Sequence, residues 1–208
     1  MTAGKEVVIS ARSLKKVFCM GETVQTVFEN VNLDIYRGDF TILMGASGAG
    51  KSTLMYALSG MDRPTSGRIT FSGKEITNCT DDQLAVFRRK NCGFVFQQIY
   101  LFENMSLMDN VLTAGALCNN SKKEVVERAR ELFELVHIPE ITQRKFSTQV
   151  SGGEAQRVGI VRAIINKPAV VFADEPTGAL NSGNAEAVLN VFTKLYSCLL
   201  YTSDAADD

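Results

Sequence analysis

Gly45, Ala46, Ser47, Gly48, Ala49, Gly50, Lys51 and Ser52 follow one another at the spacing G-x-x-x-x-G-K-[ST]. Glycines at these places let the main chain wrap close to phosphate oxygens, so that successive N–H groups and the start of a following helix face negative charge. Lys51 then reaches the β and γ phosphates of a nucleotide, and the Ser52 hydroxyl completes the coordination of Mg²⁺. Thr53 closes the same phosphate-binding run. Further along, an apolar stretch from Val170 to Ala173 ends in Asp174 and Glu175. Groups at the carboxyl ends of strands line the ligand crevice of an open α/β sheet, so Asp174 is placed to hold Mg²⁺ through its water shell. Glu175 is placed to orient or deprotonate the attacking water.

Between these motifs stands Ser151-Gly152-Gly153-Glu154. Ser151 is a good N-cap, and the free N–H groups of that helix start form a second anion site. A chain that already has one phosphate cradle gains a simple use for another if the second serves a nucleotide held by a different subunit.

The elements that carry these residues alternate in type. Strands are predicted at Val7 to Leu14, Val27 to Ile35, Phe40 to Met44, Arg68 to Phe71, Cys92 to Phe96 and Ala169 to Ala173, with a turn at Met20-Gly21-Glu22 between the first two. Phe40 to Met44 is expected to be a short buried strand running into the glycines. Helical patterns fall at Lys51 to Leu58, Asp81 to Lys90, Ser106 to Cys118, Ser121 to Val136, Gly152 to Asn166 and Ser182 to Ser197. This is an α/β plan interrupted by a mostly helical stretch from about Ile99 to Val150.

The five motifs together resemble the ATP-binding subunit of ABC transporters. The glycine-rich loop, a glutamine after a strand (Phe94-Val95-Phe96-Gln97), the Ser151 to Glu154 signature, the Asp174-Glu175 pair and Gly178-Ala179-Leu180-Asn181 occur in that family's order and spacing. The resemblance spans about Val7 to Ser197. It implies an α/β P-loop NTPase fold, an ABC-type ATPase domain with an N-terminal antiparallel β part and an inserted helical lobe at about 99–150. By position, Gln97 would sense Mg²⁺ and the γ-phosphate and relay their state through the lobe. Phe18 would offer a platform for adenine, and Ser151, Gly152, Gly153 and Glu154 would clamp ATP bound to the opposite subunit. Two copies would thus sandwich two nucleotides head to tail. Within the family the motifs look most like the branch serving lipoprotein release, macrolide export and antimicrobial-peptide resistance. The implied cofactors are ATP and Mg²⁺, and the implied partners are a second copy and a transmembrane permease that holds the chain on the inner face of the cell membrane.

Two departures from the family pattern stand out. Asn181 occupies a place where the family has aspartate. The histidine that contacts the γ-phosphate in the family normally follows on a strand after the helix ending near Ser197, whereas the one histidine here, His137, lies at the end of a lobe helix. Cys198 to Asp208 break the helical pattern, and their back-translation resembles a transposon-end sequencing adapter read as codons, so native sequence is expected to stop near Ser197. The polypeptide as it stands is therefore expected to bind Mg-ATP and hydrolyse it poorly.

Composition narrows the alternatives. With 208 residues and 45% hydrophobic content the chain can bury a sizeable core. Its apolar runs are far too short to span a membrane, and a net charge of −1 gives no general attraction to nucleic acid or an anionic surface. The start shows no secretory pattern, and five scattered cysteines form no C-x-x-C pair, which favours reduced thiols. A soluble ABC-type ATPase acting on DNA or ribosomes would need long coiled coils or a second cassette, and each motif occurs once. A P-loop kinase or GTPase leaves Ser151 to Glu154 unexplained. An ATP-binding fragment deficient in hydrolysis stays open. Basic residues in Ser121 to Arg130 are expected to form a solvated helix face.

Overall fold

Two 14-residue strands open the chain, β1 (Val7–Met20) and β2 (Thr23–Tyr36), paired antiparallel from Val7 with Tyr36 to Met20 with Thr23. The computed structural model describes residues 5–21, 23–118, 121–178, 183 and 185–194. Asn181 and Cys198 to Asp208, on which two of the sequence expectations fall, lie outside the described residues, as does Glu22 of the predicted turn. The chain divides into two compact units, with the boundary between Arg88 and Arg89.

In the first unit, β1 also pairs antiparallel with β3 (Ser66–Phe71), and β3 forms a hairpin with β4 (Lys74–Glu75), giving the order β2-β1-β3-β4. This is the antiparallel part that the family resemblance implies. Val8, Ile9, Ala11, Leu14, Ile69 and Phe71 are buried and form its core with Leu58 and Leu84 from two helices, α1 (Lys51–Leu58) and α2 (Asp81–Asn91). Phe87 of α2 meets Phe71 edge to face at 4.8 Å, a geometry that favours aromatic pairs. Lys16 is buried, yet its ammonium is satisfied by Asp62 at 2.6 Å and the Arg63 carbonyl at 2.7 Å.

The segment from Phe40 to Met44 corrects one expectation. It forms no strand, and Phe40, Ile42 and Met44 are exposed. A strand apolar along its whole length is buried on both faces where paired neighbours flank it and helices cover it, as in a parallel sheet. Among the described residues of this unit, every ladder belongs to the antiparallel sheet.

The second unit is built on a parallel ladder between β5 (Cys92–Val95) and β6 (Val170–Ala173), in register from Cys92 with Val170 to Val95 with Ala173. Helices α3 (Leu107–Gly115), α4 (Lys122–Leu135), α5 (Glu140–Gln143) and α6 (Gly152–Ile164), with a helix over 185–194, surround it. Val95, Leu107, Val111, Phe133, Val158, Ile160 and Val188 meet in one core cluster. α6 runs so close to β5 that a β-carbon on Gly93 would collide with the Ala163 carbonyl oxygen. Ser121 and Glu124 close a reciprocal capping box at the start of α4. Arg128 departs from the solvated face expected for this helix. Its side chain turns inward, and Nε donates to the Ile165 carbonyl at 2.9 Å and Nη2 to that of Ile164 at 3.3 Å, satisfying the end of α6. The four described cysteines are unbridged.

Candidate functional site

The glycine-rich loop carries its strain where phosphate binding needs curvature. Gly45, Gly48 and Gly50 have φ of 157°, 76° and 83°, and an Ala49 N–H to Ala46 carbonyl bond of 3.2 Å closes a tight turn inside the loop. Gly50 is the N-cap of α1, so no side chain caps that helix, and the first N–H groups of α1 are not taken by a capping residue. Lys51 Nζ bends over the loop to donate to the carbonyls of Gly45 (3.0 Å) and Ala46 (2.8 Å). A cation held over a concave run of backbone donors at an uncapped helix start fits a phosphate chain. Ser52 and Thr53 lie in the first turn of α1.

Phe18, on β1, is 43% exposed and thus not core, as an aromatic platform requires. Lys16 Nζ stands 4.9 Å from its ring centroid, leaving a cation on one face of the ring.

In the second unit the parallel register does the positioning. Val95 pairs with Ala173, so Gln97 and Glu175 each follow the ladder's same end by two residues. The Asp174 N–H donates to the Val95 carbonyl at 2.9 Å, extending the ladder by one step and fixing the half-buried Asp174 beside the β5 exit. Glu175 is exposed with φ 44°, a left-handed conformation uncommon for a non-glycine residue. Its carbonyl accepts from the Gly178 N–H at 3.0 Å, so the chain turns sharply after the carboxylate pair. Within this unit, the carboxylate oxygens of Asp174 and the amide oxygen of Gln97 are hard donors of the type Mg²⁺ takes.

Ser151 caps α6 as expected, but the site is not simply a row of free donors. Ser151 Oγ accepts from the Glu154 N–H at 3.2 Å, while the Ser151 N–H and hydroxyl both donate to Glu154 Oε2 at 2.9 Å. These bonds hold the Glu154 carboxyl below its ordinary value. The Glu154 carboxylate is thus occupied in shaping the helix start, and Gly152 and Gly153 supply the remaining N–H groups of this first turn. Residues that sequence reasoning missed lie further along α6. Gln156, only 2% exposed, donates from Nε2 to the Phe96 carbonyl at 3.1 Å, and Arg162 donates to the carbonyls of Ile99 and Tyr100. A neutral amide on the buried side of an apolar helix was the available signal. His137 lies past the end of α4, 3.1 Å from Lys194 Nζ.

A glycine-rich loop leading into a helix, and carboxylates at the end of a parallel strand, define an α/β P-loop NTPase. A family model described as ABC transporter matches residues 28–178. Over 187 residues the chain is 37% identical to an uncharacterized ABC transporter ATP-binding protein of Methanocaldococcus jannaschii, covering 90% of this chain and 83% of that one. It is 37% identical over 188 residues to the lipoprotein-releasing system ATP-binding protein LolD of Aquifex aeolicus, covering 90% and 82%. It is 41% identical over 189 residues to the macrolide export ATP-binding/permease protein MacB of Syntrophobacter fumaroxidans, covering 90% of this chain and 26% of that longer one. Among solved structures, a dimeric bacterial ABC transporter cassette matches with a TM-score of 0.82 at 35% identity, covering 91% of this chain and 83% of that one. A dimeric cassette in a post-hydrolysis state bound to ADP and Pi matches at 0.81 and 34%, covering 90% and 82%. The chain belongs to the ABC transporter family, and its enzyme class is ATPase. Among the described residues no helix is long and apolar enough to cross a membrane.

Proposed function

We propose that this chain binds Mg-ATP, closes on a second copy around two nucleotides, and hydrolyses ATP to drive a conformational change in a membrane permease. The observation that carries the catalytic part is the shared exit of β5 and β6, which delivers Gln97, Asp174 and Glu175 to one end of one ladder. Lys51 and the backbone of Gly45 to Gly50 hold the phosphates, with Thr53 beside them. When bound, Mg²⁺ neutralises charge on the β and γ oxygens; Ser52, Asp174 and Gln97 are the residues that would hold it. Glu175 accepts a proton from the attacking water. Phe18 stacks on the base, and the start of α6 at Ser151, Gly152 and Gly153 faces the γ-phosphate held by the other copy. Dimeric relatives support the pairing.

The similarity to LolD and MacB cassettes supports a place in the lipoprotein-release and macrolide-export branch. A relative that unites ATP-binding and permease parts in one polypeptide supports a permease partner and residence at the membrane's inner face. An open groove of about 710 Å³ in the second unit, lined by Met105, Leu112, Val125 and Phe146 among others, offers apolar surface for that partner. The domain reading is one cassette over residues 1–197, with the lobe at about 99–150.

Glu175→Gln tests the assignment. It keeps the shape of the side chain and removes the base, so ATP binding persists while kcat falls by about 10²- to 10⁴-fold. ATP then accumulates in a dimer visible by light scattering. Wild-type turnover by this variant would overturn the role of Glu175.

A further inference from the structure

The loop that carries Gln97 is held from one side by one helix. Gln156 Nε2 grips the Phe96 carbonyl at 3.1 Å, directly before Gln97, and Arg162 Nη2 grips the Ile99 carbonyl at 2.7 Å, two residues after it, with Nη1 on the Tyr100 carbonyl. Both side chains project from α6, the helix that Ser151 starts. Gln156 is only 2% exposed, so water cannot replace its carbonyl partner. Between them on α6, Gly159 lets Ile99 approach closely; a β-carbon there would lie 3.2 Å from Ile99 Cγ2. Tyr100 itself has φ 49°, a conformation that persists where surrounding contacts enforce it.

We infer that Gln156 and Arg162 are positioning residues for hydrolysis, tying the Gln97 loop to α6 so that the helix start at Ser151 and the side chain of Gln97 move as one body. A shift of α6 must carry three carbonyls that bracket Gln97, because each is bonded to that helix. Occupancy at the start of α6 therefore sets where Gln97 stands at the exit of β5. The inference rests on the catalytic reading of Gln97 above.

The test is a double-mutant cycle on kcat in the purified chain, with single-turnover hydrolysis of bound ATP reading the same step where steady turnover is slow. Gln156→Met keeps the volume and removes the donor. It lowers kcat about tenfold, as misplacement of a reacting group does, with the KM for ATP within about twofold of wild type. Arg162→Lys keeps the charge and one donor and gives a smaller loss. It also serves as the variant of record if Gln156→Met does not unfold cooperatively. In a Gln97→Ala background neither change lowers kcat further, since the group being positioned is gone. Equal factors in both backgrounds, or wild-type kcat in both single variants, overturn the inference while leaving Gln97's role intact. Wild-type kcat in Gln97→Ala alone overturns the reading of Gln97 itself, and the inference with it.

Discussion

The side-chain amide of Gln97 rests against Gly178: a β-carbon built on Gly178 would lie 2.8 Å from Gln97 Nε2 and 3.4 Å from Gln97 Cδ. The same position is 3.4 Å from the Glu175 carbonyl oxygen. The turn after the carboxylate pair and the residue after β5 thus share one small space, and the absence of a side chain at 178 keeps it open.

Gly178→Ala follows directly. The obstacle is the far end of a flexible side chain, so the fold yields cheaply and stability changes by less than about 1 kcal/mol. Gln97 must swing away, and kcat drops about tenfold while ATP affinity holds. Equilibrium ATP binding and steady-state turnover, measured on the same preparation, separate the two effects. Unchanged kcat would mean that the position of Gln97 beside Gly178 has no bearing on hydrolysis.

Glu154 predicts a dependence on acid. The Ser151 backbone N–H, then its hydroxyl, favour the charged carboxyl in the fold and hold it below the ordinary 4.5. A depressed folded value means that the stabilisation is complete above the unfolded value and is lost as pH falls through the folded one. Glu154→Gln retains a capping partner without charge. It is less stable than wild type at pH 7, and the gap closes as pH falls below the ordinary 4.5 and through the depressed folded value, beneath which both side chains are neutral. Denaturant midpoints across that range read the difference; a gap constant with pH would show that the charge of Glu154 contributes nothing.

Much of this arrangement is legible in the sequence, and what is not has physical reasons. α1 begins at Lys51 because the glycine-rich loop must end where the helix starts, and α4 and α6 begin one residue after Ser121 and Ser151 because each serine has a glutamate three residues on. The two residues of β4 and the single turn of α5 are too short to leave a periodic pattern. Phe40 to Met44 reads as a buried strand from hydropathy alone, but burial depends on partners that hydropathy does not name. That Gln97 and Glu175 leave one ladder together depends on parallel register, and the grip of Gln156 on Phe96 on how closely α6 packs over Gly93. Both are tertiary facts.

Arg128 supplies the far end of α6 with donors. Burial lowers its guanidinium from the ordinary arginine pKa. Arg128→Met keeps the apolar stem and leaves the Ile164 and Ile165 carbonyls without these bonds. The expected loss is about 1–3 kcal/mol, seen as a lower thermal midpoint. Wild-type stability would show that water takes over both carbonyls at no cost.

Gly50 and Gly48 separate two reasons for glycine in the phosphate-binding loop. Both have left-handed backbones, φ 83° and 76°. A β-carbon on Gly48 meets nothing within 4 Å, whereas one on Gly50 would lie 2.6 Å from Val27 Cγ1 and 3.4 Å from the Val27 carbonyl oxygen. Gly48→Ala therefore suffers only the conformational penalty, about 1–2 kcal/mol. Gly50→Ala adds a collision with β2 and must shift the start of α1, so its thermal midpoint falls further and ATP binding is lost with it. Equal destabilisation of the two variants would remove the contact with Val27 as a cause and leave backbone handedness as the sole demand on this loop.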